Sequence, residues 1–239
     1  MENQGNMESY TEKLNKRSFG GENIRKICIC IPTFVSIKAE LFQQYIELVQ
    51  WAGRQPFTTV LTIPNRTHND ARNWLAPAGG GNVNPTSLID QVDELIWIDS
   101  DMVFNLEDIN KLMSYKNDPF VAGWYIKTDN QNIPTDDIMA ARWDEDKFLK
   151  EGHMDFLQVD EVTNSKEELI ECDYTGFGFV KMNTSVLKEM TYPYFTNKVV
   201  NIKGRIENCS EDVSFCLDSP TKPKIIKDLR VGHLKNCVV

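Results

Sequence analysis

The stretch Glu94-Leu95-Ile96-Trp97-Ile98-Asp99-Ser100-Asp101-Met102-Val103-Phe104 constrains the fold of this chain more than any other. A short apolar run with acidic residues at both ends reads as a buried parallel strand, and Asp99 and Asp101 arrive as that strand ends. In an open α/β sheet, ligands bind beyond the carboxyl ends of the strands, so paired carboxylates at this position face a site. Two hard oxygen ligands one residue apart can hold a divalent cation, and the cation can hold a diphosphate. Asp-x-Asp also occurs in turns and helix caps, and its place after a hydrophobic strand is what gives it weight here.

Other segments repeat the pattern. Lys26-Ile27-Cys28-Ile29-Cys30-Ile31-Pro32-Thr33 has the continuous apolar character of a central strand, ending at a proline that cannot donate to a ladder. The span 39–51 predicts a helix with Phe42, Tyr45, Ile46 and Val49 on its buried face, and 57–63 predicts a return strand. Thr67 then caps a helix carrying Ala71, Trp74 and Leu75, which leaves Arg66 and Arg72 near one sheet edge, where their donor forks suit phosphate oxygens. Asn105 caps the next helix, with Ile109, Leu112 and Met113 inward, and 120–126 is a further strand. Residues 128–168 are polar and rich in Asp, Glu and Asn, open to either a hairpin or an ordering loop.

At 239 residues the chain can bury one full α/β core. A formal charge of -9 and a pI near 4.9 disfavour a broad nucleic-acid surface, although a metal and a few arginines could still bind a nucleotide. The six cysteines are dispersed without zinc-site spacing, and Cys28 and Cys30 read as small core residues in a reducing compartment. Residues 1–23 are polar, without the apolar stretch of a signal peptide, and read as a tail or an added helix ahead of a single domain over 24–239. No run approaches the roughly 20 apolar residues of a membrane helix, so a cytoplasmic protein is expected. Gly79-Gly80-Gly81 lacks both the Gly-Lys-Ser/Thr ending of a P-loop and dinucleotide spacing, and reads as a connection.

Two later stretches carry chemistry. In Tyr174-Thr175-Gly176-Phe177-Gly178, paired glycines let backbone approach a bound group, while the rings could stack on a sugar or simply belong to a bulged strand. In Ser210-Glu211-Asp212-Val213, two carboxylates open a helix capped by Ser210, where they complement the helix dipole and where one could act as a general base. His233, at the end of a strand segment, is either structural or a further ligand for Mn²⁺.

Ile31-Pro32-Thr33, Ala71-Arg72-Asn73, Asp99-Ser100-Asp101, Thr175-Gly176-Phe177-Gly178, Ser210 to Cys216 and Val231-Gly232-His233-Leu234 follow one another in the order of GT-A glycosyltransferases. Over about residues 26–235 the chain resembles family 2 and the small glycosyltransferases of large algal viruses, which decorate capsid glycans. The resemblance implies a GT-A fold: an α/β domain with a Rossmann-like, mostly parallel sheet flanked by helices. It also implies transfer of one sugar from a nucleoside diphosphate sugar, UDP before GDP, to a hydroxyl of a glycan or glycoprotein acceptor, with inversion, in a host cytoplasm if viral.

By position, the resemblance makes Asp101 and His233 ligands of Mn²⁺ or Mg²⁺, with Asp99 on the metal or the ribose. Pro32, Thr33, Arg72 and Ser100 would line the nucleotide, and Gly176, Phe177 and Gly178 the donor sugar or acceptor. Asp212 would be the base, with Glu211 its competitor. The Gln/Arg-x-x-Arg-Trp signature of processive synthases is missing from 213–235, which favours addition of one sugar. A sugar-nucleotide nucleotidyltransferase and a non-catalytic carbohydrate- or nucleotide-binding module are the alternatives. The first would need a Gly-rich, Arg- and Lys-containing loop directly after the first strand, and none follows Thr33.

Overall fold

The computed structural model describes residues 25–33, 37–76, 89–129 and 131–234. The expected tail over 1–23, the Gly79-Gly80-Gly81 connection and Cys237 lie outside the described residues. The chain opens with β1 (Ile27–Thr33), α1 (Phe42–Arg54), β2 (Thr58–Pro64), α2 (His68–Leu75) and β3 (Glu94–Ile98). It continues through β4 (Met102–Val103), α3 (Leu106–Ser114), β5 (Phe120–Trp124), β6 (Ile126–Thr128), β7 (Pro134–Arg142), α4 (Glu145–Glu151), β8 (Asp155–Gln158) and α5 (Val159–Thr163). The remainder is β9 (Leu169–Glu171), β10 (Tyr174–Thr175), β11 (Phe179–Asn183), α6 (Thr184–Lys188), β12 (Lys198–Ile202), β13 (Arg205–Cys209), α7 (Glu211–Asp218), β14 (Lys224–Arg230) and β15 (Gly232–His233).

The central sheet has seven strands in the order β2-β1-β3-β11-β5-β14-β9. Strands β1, β2, β3, β5 and β14 run one way, while β11 and β9 run against them. The fold is therefore α/β with a mixed sheet, five of its seven strands parallel in direction, flanked by helices. Both faces are covered, which explains the unbroken apolar runs. Along β1, Cys28 and Cys30 enter one core layer while Ile27, Ile29 and Ile31 enter the other; along β3, Leu95 and Trp97 alternate in the same way with Ile96 and Ile98. Cys28, Cys30, Cys172 and Cys216 are buried free thiols, and burial holds the Cys30 thiol well above its usual pKa.

One layer is built around phenylalanine rings. Phe195 and Phe215 stack at 4.7 Å, and Phe177 meets them edge-on at 5.1 and 4.9 Å. Such pairs add about 0.5–1.5 kcal/mol each beyond area burial. Phe177, 1% exposed in the loop between β10 and β11, thus belongs to the core, and its ring is not presented on the surface for stacking.

The inward face of α1 differs from the expected one. Tyr45, Leu48 and Ala52 are buried, continuing from Leu41, whereas Phe42 and Val49 are 59% and 52% exposed. The stripe is turned because two polar side chains anchor the helix: the Tyr45 hydroxyl donates to Asp99 O at 2.7 Å, and Gln44 Nε2 donates to Met102 O at 2.6 Å. Residues 128–168 are also more ordered than their polarity suggests. Strand β7 pairs with β6, β8 and β10, and Ile138, Ala140, Phe148, Leu157 and Val162 give this small second sheet and its helices an apolar side. Asn105 caps α3 as expected, in a full capping box with Asp108. Among the described residues, no helix is long and apolar enough to cross a membrane.

At the opposite end of the sheet from the carboxyl edge, Lys181 is fully buried on β11. Its Nζ donates to Tyr115 O at 2.7 Å and Asp118 O at 2.9 Å and lies 3.5 Å from Glu94 Oε1, which also accepts from Arg25 at 2.7 Å. Burial lowers the Lys181 pKa against the opposing pull of Glu94. Replacing the ammonium leaves Asp118 O without its donor, Tyr115 O with only the 3.4 Å bond from Asp118 N, and a buried carboxylate with one cation fewer. Lys181→Met is therefore expected to lower unfolding stability by about 3 kcal/mol in urea titration, whereas an unchanged midpoint would mean that the network contributes nothing.

Candidate functional site

The site grows from the carboxyl edge of the sheet. Strand β3 ends at Ile98, and Asp99 to Asp101 turn directly beyond it, closed by Met102 N donating to Asp99 O at 3.1 Å. Because β11 runs the other way, its entry loop Gly176-Phe177-Gly178 reaches the same edge, and Asp99 N donates to Gly178 O at 2.9 Å. Helices α2 and α7 bring Arg72 and Glu211 to this place.

Arg72 is 2% exposed and lies among carboxylates. Its Nη2 donates to Asp99 Oδ1 at 2.9 Å and Oδ2 at 3.1 Å, and its Nη1 donates to Glu211 Oε1 at 2.6 Å. The rings of Phe177 and Phe195 face the guanidinium at 5.4 and 5.9 Å. Burial disfavours the cation, but Asp99, Glu211 and Asp212 more than offset it, so its pKa stands above that of free arginine. Nε is buried without a partner among the described residues. Arg72, expected to line a nucleotide, is buried and ties the end of β3 to the start of α7.

Asp101 and His233 form a second group. Strand β15 pairs with β4, Leu234 N donates to Asp101 O at 2.8 Å, and His233 Nε2 lies 3.0 Å from Asp101 Oδ2. Tyr125 packs edge-on against the imidazole at 5.0 Å. The structure therefore brings Asp101 and His233 together, while both oxygens of Asp99 turn to Arg72. Among the described residues, no three Asp, Glu, His or Cys side chains converge as a ready metal-ligand set.

Asp212 forms the third group. It accepts from the Tyr174 hydroxyl at 3.0 Å, from Ser210 Oγ and from Val213 N at 2.8 Å. Ser210 thus serves the carboxylate and makes no side-chain cap to α7. With Glu211 held by Arg72, Asp212 is the carboxylate of this pair not committed to a cation.

Tyr125, expected within a strand over 120–126, instead follows β5 and reaches all three groups. Its hydroxyl approaches both glycines so closely that a Cβ at Gly176 or Gly178 would stand 2.3 or 2.9 Å from it. Burial, then the charges of Asp99 and Asp212, raises its pKa. The glycines are required by this ring and, at Gly178, by Met102 Sδ. Tyr45 and Tyr174 carry the same signature, a buried phenol beside carboxylates, raised by burial first and then by Asp99 and by Asp212 respectively.

The other expected residues lie nearby in sequence order. Pro32 and Thr33 end β1 beyond its pairing with β3, and Thr33 Oγ1 meets Thr62 Oγ1 at 3.0 Å. Ser100 is half-buried in the Asp99 turn. His68 Nδ1 lies 3.9 Å from Glu211, and Arg66 stacks on Trp74 at 4.4 Å, away from Arg72's partners.

No protein-family model matches this chain, and no curated protein matches it in sequence. Among solved structures, protein A197 from STIV, a viral protein, aligns with a TM-score of 0.53 at 15% identity, over 88% of this chain and 86% of that one. The likeness is one of fold. A provisionally named glucose-1-phosphate thymidylyltransferase from Bacillus anthracis, solved with sucrose, covers 70% of this chain and 75% of its own at 11% identity, but its TM-score of 0.32 is too low to bear on fold or function.

Removing the guanidinium would leave buried carboxylates uncompensated. Arg72→Met is expected to cost about 3–5 kcal/mol of unfolding stability. Adding Glu211→Gln should recover part of that loss in the same urea titration, because one stranded charge is then removed; a double variant no more stable than Arg72→Met would contradict the bridge.

Proposed function

We propose that this chain is a GT-A glycosyltransferase that moves one sugar from a nucleoside diphosphate sugar, UDP before GDP, to a hydroxyl acceptor with inversion. The observation that carries the reading is the division of labour among the carboxylates at the sheet edge. Arg72 occupies Asp99 and Glu211, while Asp101 stands with His233 and Asp212 with Tyr174 and Ser210.

The donor chemistry of Asp101 and His233 fits Mn²⁺ or Mg²⁺. One hard carboxylate and one imidazole are too few ligands to close a coordination sphere, which suits a cation shared with diphosphate oxygens and water. Three carboxylates, Asp99, Glu211 and Asp212, act on one guanidinium, and Asp101 adds a fourth at the same sheet edge, an excess of negative charge that favours a cation and repels an unaccompanied diphosphate. Asp101 and His233 would hold the metal, which when bound offsets charge on the departing diphosphate.

Asp212 would take the acceptor proton. As the hydroxyl oxygen forms its bond to the anomeric carbon, the bond from that carbon to the diphosphate oxygen breaks and its electron pair leaves with the diphosphate. Tyr174 and Ser210 orient the carboxylate through their hydrogen bonds, which matters because a base must lie within hydrogen-bond reach of the proton it removes. Pro32, Thr33 and Ser100 would border the nucleotide, and Gly176 and Gly178 would shape the wall beside the donor sugar.

Thermal stabilisation by UDP and GDP, with and without Mn²⁺, tests the donor half. A metal-dependent rise in melting temperature that Asp101→Ala abolishes is expected, since a ligand that binds only the native state stabilises it by mass action. No shift with any nucleotide and metal would overturn the reading. Asp212→Asn should keep the nucleotide shift and lose about 100-fold or more in transfer rate, measured as UDP release in the presence of acceptor; undiminished transfer would remove Asp212 from the chemistry.

A further inference from the structure

A cavity of about 480 Å³ opens beside Asp212, between the small second sheet, the β12–β13 hairpin and the start of α7. Its size is that of a small-molecule site. Trp143, Phe148, Phe156 and Tyr174 supply aromatic walls, and Val200 and Ile202 of the hairpin close it. Two wall residues, Tyr174 and Ser210, are the hydrogen-bond donors to Asp212, so the cavity is continuous with the carboxylate's own partners.

The carboxylates and hydroxyls on these walls are already engaged, and among the described residues the one wall amide, that of the exposed Asn208, shows no partner. Asp173 accepts from Trp143 N at 2.8 Å and pairs with Lys222 at 2.7 Å, Glu207 pairs with Arg205, and Ser210 is committed to Asp212. A bare sugar buried here would lose water from several hydroxyls while finding few free partners, at about 1–3 kcal/mol for each one left unsatisfied. An alkyl or aryl body loses nothing comparable and gains from burial against the rings.

We infer that this cavity receives the apolar body of an amphiphilic acceptor, a molecule with an alkyl or aryl group at one end and its reacting hydroxyl at Asp212. The assignment of that hydroxyl rests on the glycosyltransferase reading; the apolar selectivity of the cavity does not. The hairpin shapes the selection, since Val200 and Ile202 turn inward while Val199 points to solvent.

The test is calorimetric titration of the full chain, without nucleotide or metal, with hexyl β-D-glucopyranoside and with methyl β-D-glucopyranoside. The two probes share a head group and differ only in apolar length. The hexyl compound should bind about tenfold or more tightly than the methyl compound. Trp143→Ala should weaken hexyl binding several-fold, and Val200→Trp, which fills the cavity, should abolish it, with the UDP and Mn²⁺ thermal shift of both variants equal to that of the unaltered chain. Equal affinity for the two glucosides, or hexyl binding that survives both substitutions, would overturn the proposal. Hexyl selectivity without any nucleotide shift would retain the cavity assignment and remove the glycosyltransferase reading, whereas a nucleotide shift without hexyl selectivity would do the reverse.

Discussion

The site depends on one buried cation. Arg72 spans two carboxylates that are 112 residues apart in the chain, Asp99 at the end of β3 and Glu211 at the start of α7. Low exposure makes each contact stronger than a surface pair and makes removal of any partner costly. The same geometry sorts the acidic residues. It engages Asp99 but not Asp101 and Glu211 but not Asp212, so each neighbouring pair in sequence is divided between Arg72 and other partners.

This arrangement is available because of strand direction. With β1, β3 and β5 delivering their ends to one edge, a reversed β11 must begin there, and its entry loop therefore passes beside Asp99. Glycine is needed at 176 and 178 because the Tyr125 hydroxyl occupies the space a side chain would take. The phenylalanine layer beneath has a related part: Phe177 and Phe195 pack together and also face the Arg72 guanidinium, so the aromatic core and the polar floor are held by shared residues.

Much of this was legible in sequence wherever a single segment carried the information. The apolar runs of β1 and β3 announce strands buried on both faces, and Asn105 followed by Asp108 announces a capped helix. Asp101 and His233 could be named as candidates, yet their 3.0 Å approach depends on β15 pairing with β4, a contact across 132 residues that no local pattern encodes. The face of α1 was misread for a similar reason. Phe42 and Val49 fit a helical period as well as Leu48 and Ala52 do, Tyr45 belongs to both stripes, and the tertiary bond from Gln44 to Met102 O favours the side of Leu41 and Leu48. Polar composition concealed the second sheet, whose inward positions are mostly small or widely spaced. Lys181 gave no sign of being buried, because its partners are mainly backbone carbonyls from a distant turn.

The electrostatics then limit what the site can accept. In a chain of formal charge -9, three carboxylates act on Arg72, whose guanidinium is already committed to Asp99 and Glu211. A diphosphate can approach such a surface only with a cation that shares its charge, and the Asp101–His233 pair is the group whose donors suit one. Asp212 answers to different neighbours, a phenol and a hydroxyl that also line an apolar cavity. On the glycosyltransferase reading, holding Asp101 with His233 and Asp212 with Tyr174 and Ser210 in separate hydrogen-bonded sets lets each be tuned without disturbing the other, with Arg72 holding the neighbouring Asp99 and Glu211.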